Sequence, residues 1–233
     1  MPAKVADCRA SVSAVRELTP DVVEVDLAMV EPAALVFEAG QWVSVPFGAK
    51  NVRAYSIASS PRTPGVITLC ADVAPGGIGS RWVRALRVGD EVAFKGPLGG
   101  FVWAPGETRR PLLVAEEIGI VPVRAIAVEL AAGRVATTLA YWARDPGWLV
   151  YDAELRALAR ENPGFAYHPV VRDGEAWTGA RAATVVPLIE ALVPDVSGLV
   201  AYVAGGETTI RQVREALMLR GLERKAVKWE KFW

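Results

Sequence analysis

The chain has 233 residues, room for one large domain or two of modest size. Hydrophobic residues make up 52% and charged ones 22%, which excludes global disorder, and 26 basic against 26 acidic residues argue against nucleic acid as the main partner. Two cysteines, Cys8 and Cys70, are too few for a disulfide framework or for an iron–sulfur cluster held by four thiolates of these residues. The first residues lack the apolar core of a signal peptide, and no uncharged apolar stretch of about 18 residues offers a membrane span, so the expected location is the cytoplasm.

Through about residue 104 the signals are those of strands. Residues 8–15 and 22–30 carry β-branched side chains in partial alternation, with Thr19-Pro20-Asp21 as the turn between them. Residues 40–47 alternate again through Trp42, Val43, Val45 and Phe47. Next comes Arg53-Ala54-Tyr55-Ser56-Ile57, a strand that runs into the turn Ser59-Ser60-Pro61. Arg53, Tyr55 and Ser56 fall within about 10 Å of extended chain, and alternation puts Arg53 and Tyr55 on one face. Arg can clamp a phosphate bidentately, Tyr offers a flat ring with a hydroxyl, and Ser can donate to a ring nitrogen or carbonyl. An edge strand with an exposed Arg and a half-buried Tyr would carry the same letters.

Residues 66–73 and 88–97 continue the strand pattern, and the Gly, Pro and Asp turns between these short runs predict a small antiparallel β-barrel. Between them lies Pro75-Gly76-Gly77-Ile78-Gly79-Ser80, followed by a short helical pattern with Ser80 at the expected N-cap. Glycines let backbone N–H groups approach an anion, and a helix N-terminus adds a favourable dipole. A flexible loop with an ordinary capped helix is the plainer reading. It is not a Rossmann fingerprint, because the strand before it belongs to the barrel.

A polar, Pro- and Gly-containing break over residues 103–110 marks the expected boundary between a domain of residues 1–105 and one of residues 106–233. The pattern then changes. Residues 111–115 form a continuous apolar run, as a strand buried on both faces requires. Helical spacing over residues 123–132, 152–160, 183–192 and 209–219 alternates with strand signals over 136–142, 165–171 and 199–203. That alternation predicts an α/β unit with a doubly wound parallel sheet and ligands at the carboxyl ends of its strands. The one histidine, His168, reads as structural, and no zinc-type cluster, Ser-His-Asp set or Walker loop is present.

The segment Arg53-Ala54-Tyr55-Ser56 resembles the flavin-binding Arg-x-Tyr-Ser motif of the ferredoxin–NADP reductase superfamily, and other segments follow in that family's order. Pro75-Gly76-Gly77-Ile78-Gly79-Ser80 is similar to its Pro-Gly-Gly-x-x-Ser pyrophosphate loop, and Gly96-Pro97-Leu98-Gly99-Gly100-Phe101 to its Gly-Pro-x-Gly-x-Phe. The resemblance implies bound FAD, favoured over FMN, with Arg53, Gly76, Gly77 and Ser80 on its phosphates. It puts Tyr55 on the flavin ring, Ser56 near N5, and Cys70 and Asp72 among the cofactor contacts. Glu116-Glu117-Ile118-Gly119-Ile120-Val121-Pro122 stands where the family has Gly-Gly-Thr-Gly-Ile-x-Pro along the nicotinamide path. Gly119, Ile120 and Pro122 are kept, and the first two glycines give way to glutamates.

Like charges about 4 Å apart cost about 1 kcal/mol in water and about 4 at an effective dielectric of 20, so these carboxylates are expected to weaken dinucleotide binding unless they turn away. In Ala204-Gly205-Gly206-Glu207 the family's nicotinamide-facing cysteine is replaced by Ala204, while Gly205 is retained. Arg144 corresponds to a position that meets the adenosine part of the nucleotide, with a solvated Arg as the alternative. The closing Glu230-Lys231-Phe232-Trp233 resembles the family's Glu-x-Phe, which assigns Glu230 and Trp233 to the flavin site; a C-terminal strand with outward tryptophans is the other reading. The activity implied is an FAD-dependent oxidoreductase that passes electrons from NAD(P)H to a separate acceptor, either a protein (an iron–sulfur protein, a flavodoxin or an oxygenase component) or a small molecule. A flavoprotein subunit that has lost or gated NAD(P)H use is the alternative, and a siderophore-interacting ferric reductase the third.

Overall fold

A computed structural model describes residues 4–232, and the chain divides between Trp103 and Ala104 into two compact units. The first contains β1 (Ala6–Thr19), β2 (Val22–Glu31), β3 (Trp42–Pro46), β4 (Val52–Ser56), β5 (Val66–Asp72), α1 (Ile78–Ala85) and β6 (Glu91–Leu98). The strands form one antiparallel sheet in the order β4-β3-β6-β1-β2-β5. Ile57, just past β4, bridges Leu69 of β5, so the two edge strands meet and the sheet closes as a barrel. Three register shifts along the β1–β2 pair give the long β1 the bends that closure requires. Alternating side chains fill the interior, among them Val12, Leu27, Val43, Ile57, Ile67 and Phe94. Each such aliphatic burial contributes about 1.5–3 kcal/mol.

Two expectations for this unit change. Helix α1 begins at Ile78 with Gly77 as its N-cap, and the Arg81 N–H donates to the Gly77 carbonyl at 3.0 Å. Ser80 therefore lies inside the first turn and does not cap it. Residues 88–90 are a turn and not strand, because Gly89 adopts φ 95° and the Asp90 N–H closes back onto the Arg87 carbonyl.

The second unit contains β7 (Arg110–Glu116), α2 (Ile120–Ala132), β8 (Thr137–Ala143), α3 (Asp152–Glu161), β9 (Phe165–Val171), β10 (Ala180–Arg181), α4 (Val186–Leu192), β11 (Leu199–Gly205), α5 (Glu207–Leu219) and β12 (Val227–Lys231). All six strands are parallel, in the order β10-β9-β8-β7-β11-β12. Interior β11 is buried along its whole length, as is β7 from Pro111 to Ala115, which is why their sequences are unbroken apolar runs. The chain winds outward from β7 to β10, then returns to add β11 and β12 on the other side. The order thus reverses between β7 and β11, and their carboxyl ends form the topological switch point. Helix α4 starts at Val186, three residues later than its periodicity suggests, with Pro187 in its first turn.

Candidate functional site

In the barrel unit, Arg53 and Tyr55 project from the same face of β4, opposite Val45 and Val43 of β3. Tyr55 is buried, with its ring centroid 5.4 Å from that of Trp82, which stands edge-on to Phe47 at 5.5 Å. Helix α1 approaches this pair through Gly79. A Cβ at Gly79 would lie 2.6 Å from the Tyr55 hydroxyl oxygen and 3.3 Å from Arg53 Cγ, so only glycine lets the first turn come this close. The packing joins the two motif segments, about 25 residues apart in the chain, into one cluster.

Arg53 is exposed, and its Nη1 donates to the Val52 carbonyl at 2.8 Å. Gly76 has φ 64°, and open space surrounds the position of a Cβ at Gly77, so the loop's backbone is accessible to a ligand. Burial pushes the Tyr55 phenol up to about 12 against the opposing charge of Arg53, so the hydroxyl is a neutral donor at physiological pH. Ser56 is buried in the β3–β4 pair opposite Trp42. Asp72 accepts from the Ala74 N–H at 2.8 Å and so starts the turn that leads into the glycine loop. Cys70 is buried, and by alternation it shares the Thr68 face of β5, whereas Leu69 and Ala71 line the small apolar crevice beside Tyr55.

The second unit builds its crevice at the switch point. A Cβ at Gly119 would come within 2.3 Å of the Ala204 carbonyl oxygen, so the turn after β7 passes the end of β11 only as glycine. At Gly205 a Cβ would meet Glu116 Cβ at 2.7 Å. Pro122 is buried in the first turn of α2. The two glutamates that replace glycines both find partners. Glu116 Oε2 accepts from the Gly206 N–H at 2.7 Å and Oε1 from the Thr209 hydroxyl at 2.8 Å, which ties the N-cap N–H and the third residue of α5 to the end of β7. Glu117 takes a left-handed backbone, φ 46°, where glycine would be unstrained. Its carboxylate accepts both Arg144 Nε (2.7 Å) and Nη2 (2.8 Å), and the Arg144 guanidinium lies 3.7 Å from the centre of the Trp148 ring. The Tyr141 hydroxyl sits 3.1 Å from the Glu117 carbonyl and 2.9 Å from that of Trp148, tying down the same turn.

Neither glutamate therefore presents a bare charge, and Arg144, with 40% of its side chain exposed, is ion-paired with Glu117. Glu230 stands in β12 in register with Ala204, and the Phe232 N–H donates to the Gly205 carbonyl at 3.0 Å. Lys231 pairs with Glu207 at 2.6 Å across the same strand ends. Trp229 is half-exposed, with the Arg214 guanidinium 5.9 Å from its ring centre; Trp233 lies outside the described residues. His168 pairs with Ala140 inside the sheet, and burial lowers its pKa, in keeping with a structural role. Trp82, Trp148 and Thr209 had no sequence signal, because each acquires its partner only through the fold. Among the described residues no His, Cys, Asp and Glu group could hold a metal, and no helix is long and apolar enough to cross a membrane.

A closed antiparallel barrel followed by a doubly wound parallel sheet with a glycine-lined switch point is the architecture of a nucleotide-binding class of protein. A model of the oxidoreductase FAD-binding domain family matches residues 9–103. Ferredoxin--NADP reductase B of Sorangium cellulosum is 34% identical over 198 residues, which cover 82% of this chain and 79% of that one. Terephthalate 1,2-dioxygenase, reductase component 1, of a Comamonas species is 28% identical over 87% of this chain; the match spans 61% of that relative's length. Among solved structures, the Amycolatopsis cytochrome P450 reductase GcoB matches all of this chain and 71% of its own with a TM-score of 0.89 and 26% identity. The chain belongs to the ferredoxin–NADP reductase superfamily of FAD-dependent NAD(P)H oxidoreductases.

Proposed function

We propose that the chain passes electrons from NAD(P)H through FAD to a separate acceptor, an iron–sulfur protein or an oxygenase component. The observation that carries this reading is the packing of Gly79 against Arg53 and Tyr55, which sets a cation, a neutral phenol and a glycine-lined helix start side by side. Those residues fit FAD. Arg53 would pair with a phosphate that the N–H groups of Gly76, Gly77 and Ser80 also approach, Tyr55 would lie along the ring, and Ser56 would hydrogen-bond near N5. When bound, FAD supplies the exchange between two-electron and one-electron chemistry. Gly119, Pro122 and Gly205 would shape the nicotinamide path, with Glu230 beside Ala204 as its acidic neighbour. Both cysteines are buried in the barrel unit, so these 233 residues offer no four-thiolate cluster site and the acceptor is another centre. The name of the terephthalate dioxygenase relative favours an oxygenase component.

Loss of nucleotide use, suggested by Glu116 and Glu117, is weakened by their internal partners. The test is anaerobic mixing of the flavin-loaded protein with NADH and with NADPH while following the flavin band at about 450 nm. Bleaching within seconds by either nucleotide is expected. Bleaching by dithionite alone would overturn the reductase reading and favour an electron-transfer subunit.

A further inference from the structure

The Glu117–Arg144 pair lies where a doubly wound sheet distinguishes its nucleotides. The turn after its first strand meets the dinucleotide diphosphate, and groups at the end of its second strand meet the adenosine ribose, where a carboxylate suits a 2′-hydroxyl and an Arg suits a 2′-phosphate. Here β7 is the first strand and β8 the second, and Arg144 directly follows β8. It is the residue placed to take a 2′-phosphate, but Glu117 already holds two of its donors at 2.7 and 2.8 Å.

Two other cations stand nearby: Arg172, just beyond β9, donates to Asp173 at 2.7 Å, and Arg181 of β10, in register with Val171, donates to the Gly174 and Trp177 carbonyls. Neither directly follows β8, as Arg144 does. A 2′-phosphate arriving here would have to displace a bidentate carboxylate that is 12% exposed and remain beside its negative charge. The backbone supports a dedicated role for Glu117, because a non-glycine residue at φ 46° is unfavourable unless its surroundings hold it.

We propose that Glu117 is a specificity-determining residue which, by occupying Arg144, makes this chain discriminate against the 2′-phosphate and prefer NADH over NADPH. The inference rests on the nucleotide-using reading above. It sets the chain apart from the relative named for NADP. Glu117→Gly should release Arg144 and relax the backbone at once, so the variant is expected to fold. Glu117→Gln, which removes the charge but keeps the side chain, should act in the same direction.

The experiment measures two readouts on the flavin-loaded protein and both variants: the rates of flavin bleaching by NADH and NADPH, and the calorimetric affinities for adenosine 5′-monophosphate and adenosine 2′,5′-bisphosphate. Wild type should favour NADH, and Glu117→Gly should move the NADH/NADPH ratio toward NADPH by about tenfold or more, with a matching gain for the bisphosphate. Adding Arg144→Ala to Glu117→Gly should erase that gain. A wild-type preference for NADPH, a ratio unchanged in Glu117→Gly, or a gain that survives Arg144→Ala would overturn the inference while leaving the reductase reading intact. Failure of every variant to respond to either nucleotide or bind either adenosine phosphate would overturn both.

Discussion

Tyr55 gathers more consequences than any other single side chain of the barrel unit. The same burial that packs its ring beside Trp82 raises its phenol to about 12, and the close approach of Gly79 fixes where the hydroxyl lies. That shift sets the sign of a pH effect. Between pH 10 and about pH 12 the unfolded chain loses the phenolic proton while the folded one retains it, so the unfolded state binds fewer protons and stability falls as pH rises. The contribution is complete below pH 10 and is lost as pH climbs through the folded value. Tyr55→Phe should therefore lose less stability than wild type between about pH 10 and pH 12 in urea unfolding. Tyr167 and Tyr202 also have raised values, but both remain in the variant, so the difference isolates Tyr55. Equal alkaline losses in the two proteins would contradict the burial argument.

At the scale of elements, the switch point depends on side chains reaching between strand ends. Glu116 ends β7 yet holds the Gly206 N–H and the Thr209 hydroxyl at the start of α5, a helix whose N-cap, Gly206, has no side chain of its own. Glu116→Ala should cost about 0.5–2 kcal/mol, as other lost helix caps do, and Glu116→Gln should lose less because it keeps an oxygen acceptor. Urea unfolding followed by circular dichroism reads both values, and an alanine variant as stable as wild type would deny Glu116 its capping role. No local pattern announces such a link, since Glu116 lies 90 and 93 residues from its two partners. What the sequence did disclose was local. The apolar run at 111–115 and the alternation at 40–47 follow from burial on both faces or on one, and β9 spans the same residues as its pattern. Two-residue β10 has no pattern to detect, and Ser80 has the residue type of a cap but lies inside a helix capped by Gly77. In the candidate site, the shared face of Arg53 and Tyr55 follows from alternation alone, whereas the partnering of Glu117 with Arg144 needed β7 and β8 to be neighbours.

For the whole molecule, each unit has its own apolar core, so a ligand of the barrel unit shows its binding as stability of that unit. FAD at a hundred times its dissociation constant should add about 2.7 kcal/mol to the transition of the barrel unit. Arg53 is the exposed cation beside the first turn of α1, and a charge-assisted bond of the kind it would make to a phosphate contributes about 1.5–3 kcal/mol. Its loss in Arg53→Ala should weaken FAD by roughly ten- to a hundredfold. At the larger figure the same FAD concentration equals the variant's dissociation constant, and the added stability falls to about 0.4 kcal/mol. Thermal unfolding of flavin-depleted protein with and without FAD should thus show a clear upward shift for wild type and, for the variant, a shift cut to about half at a tenfold loss and to almost none at a hundredfold one. If both shift equally, the phosphates are held elsewhere; the exposed arginines Arg81 and Arg84 of α1 would then be the next to replace.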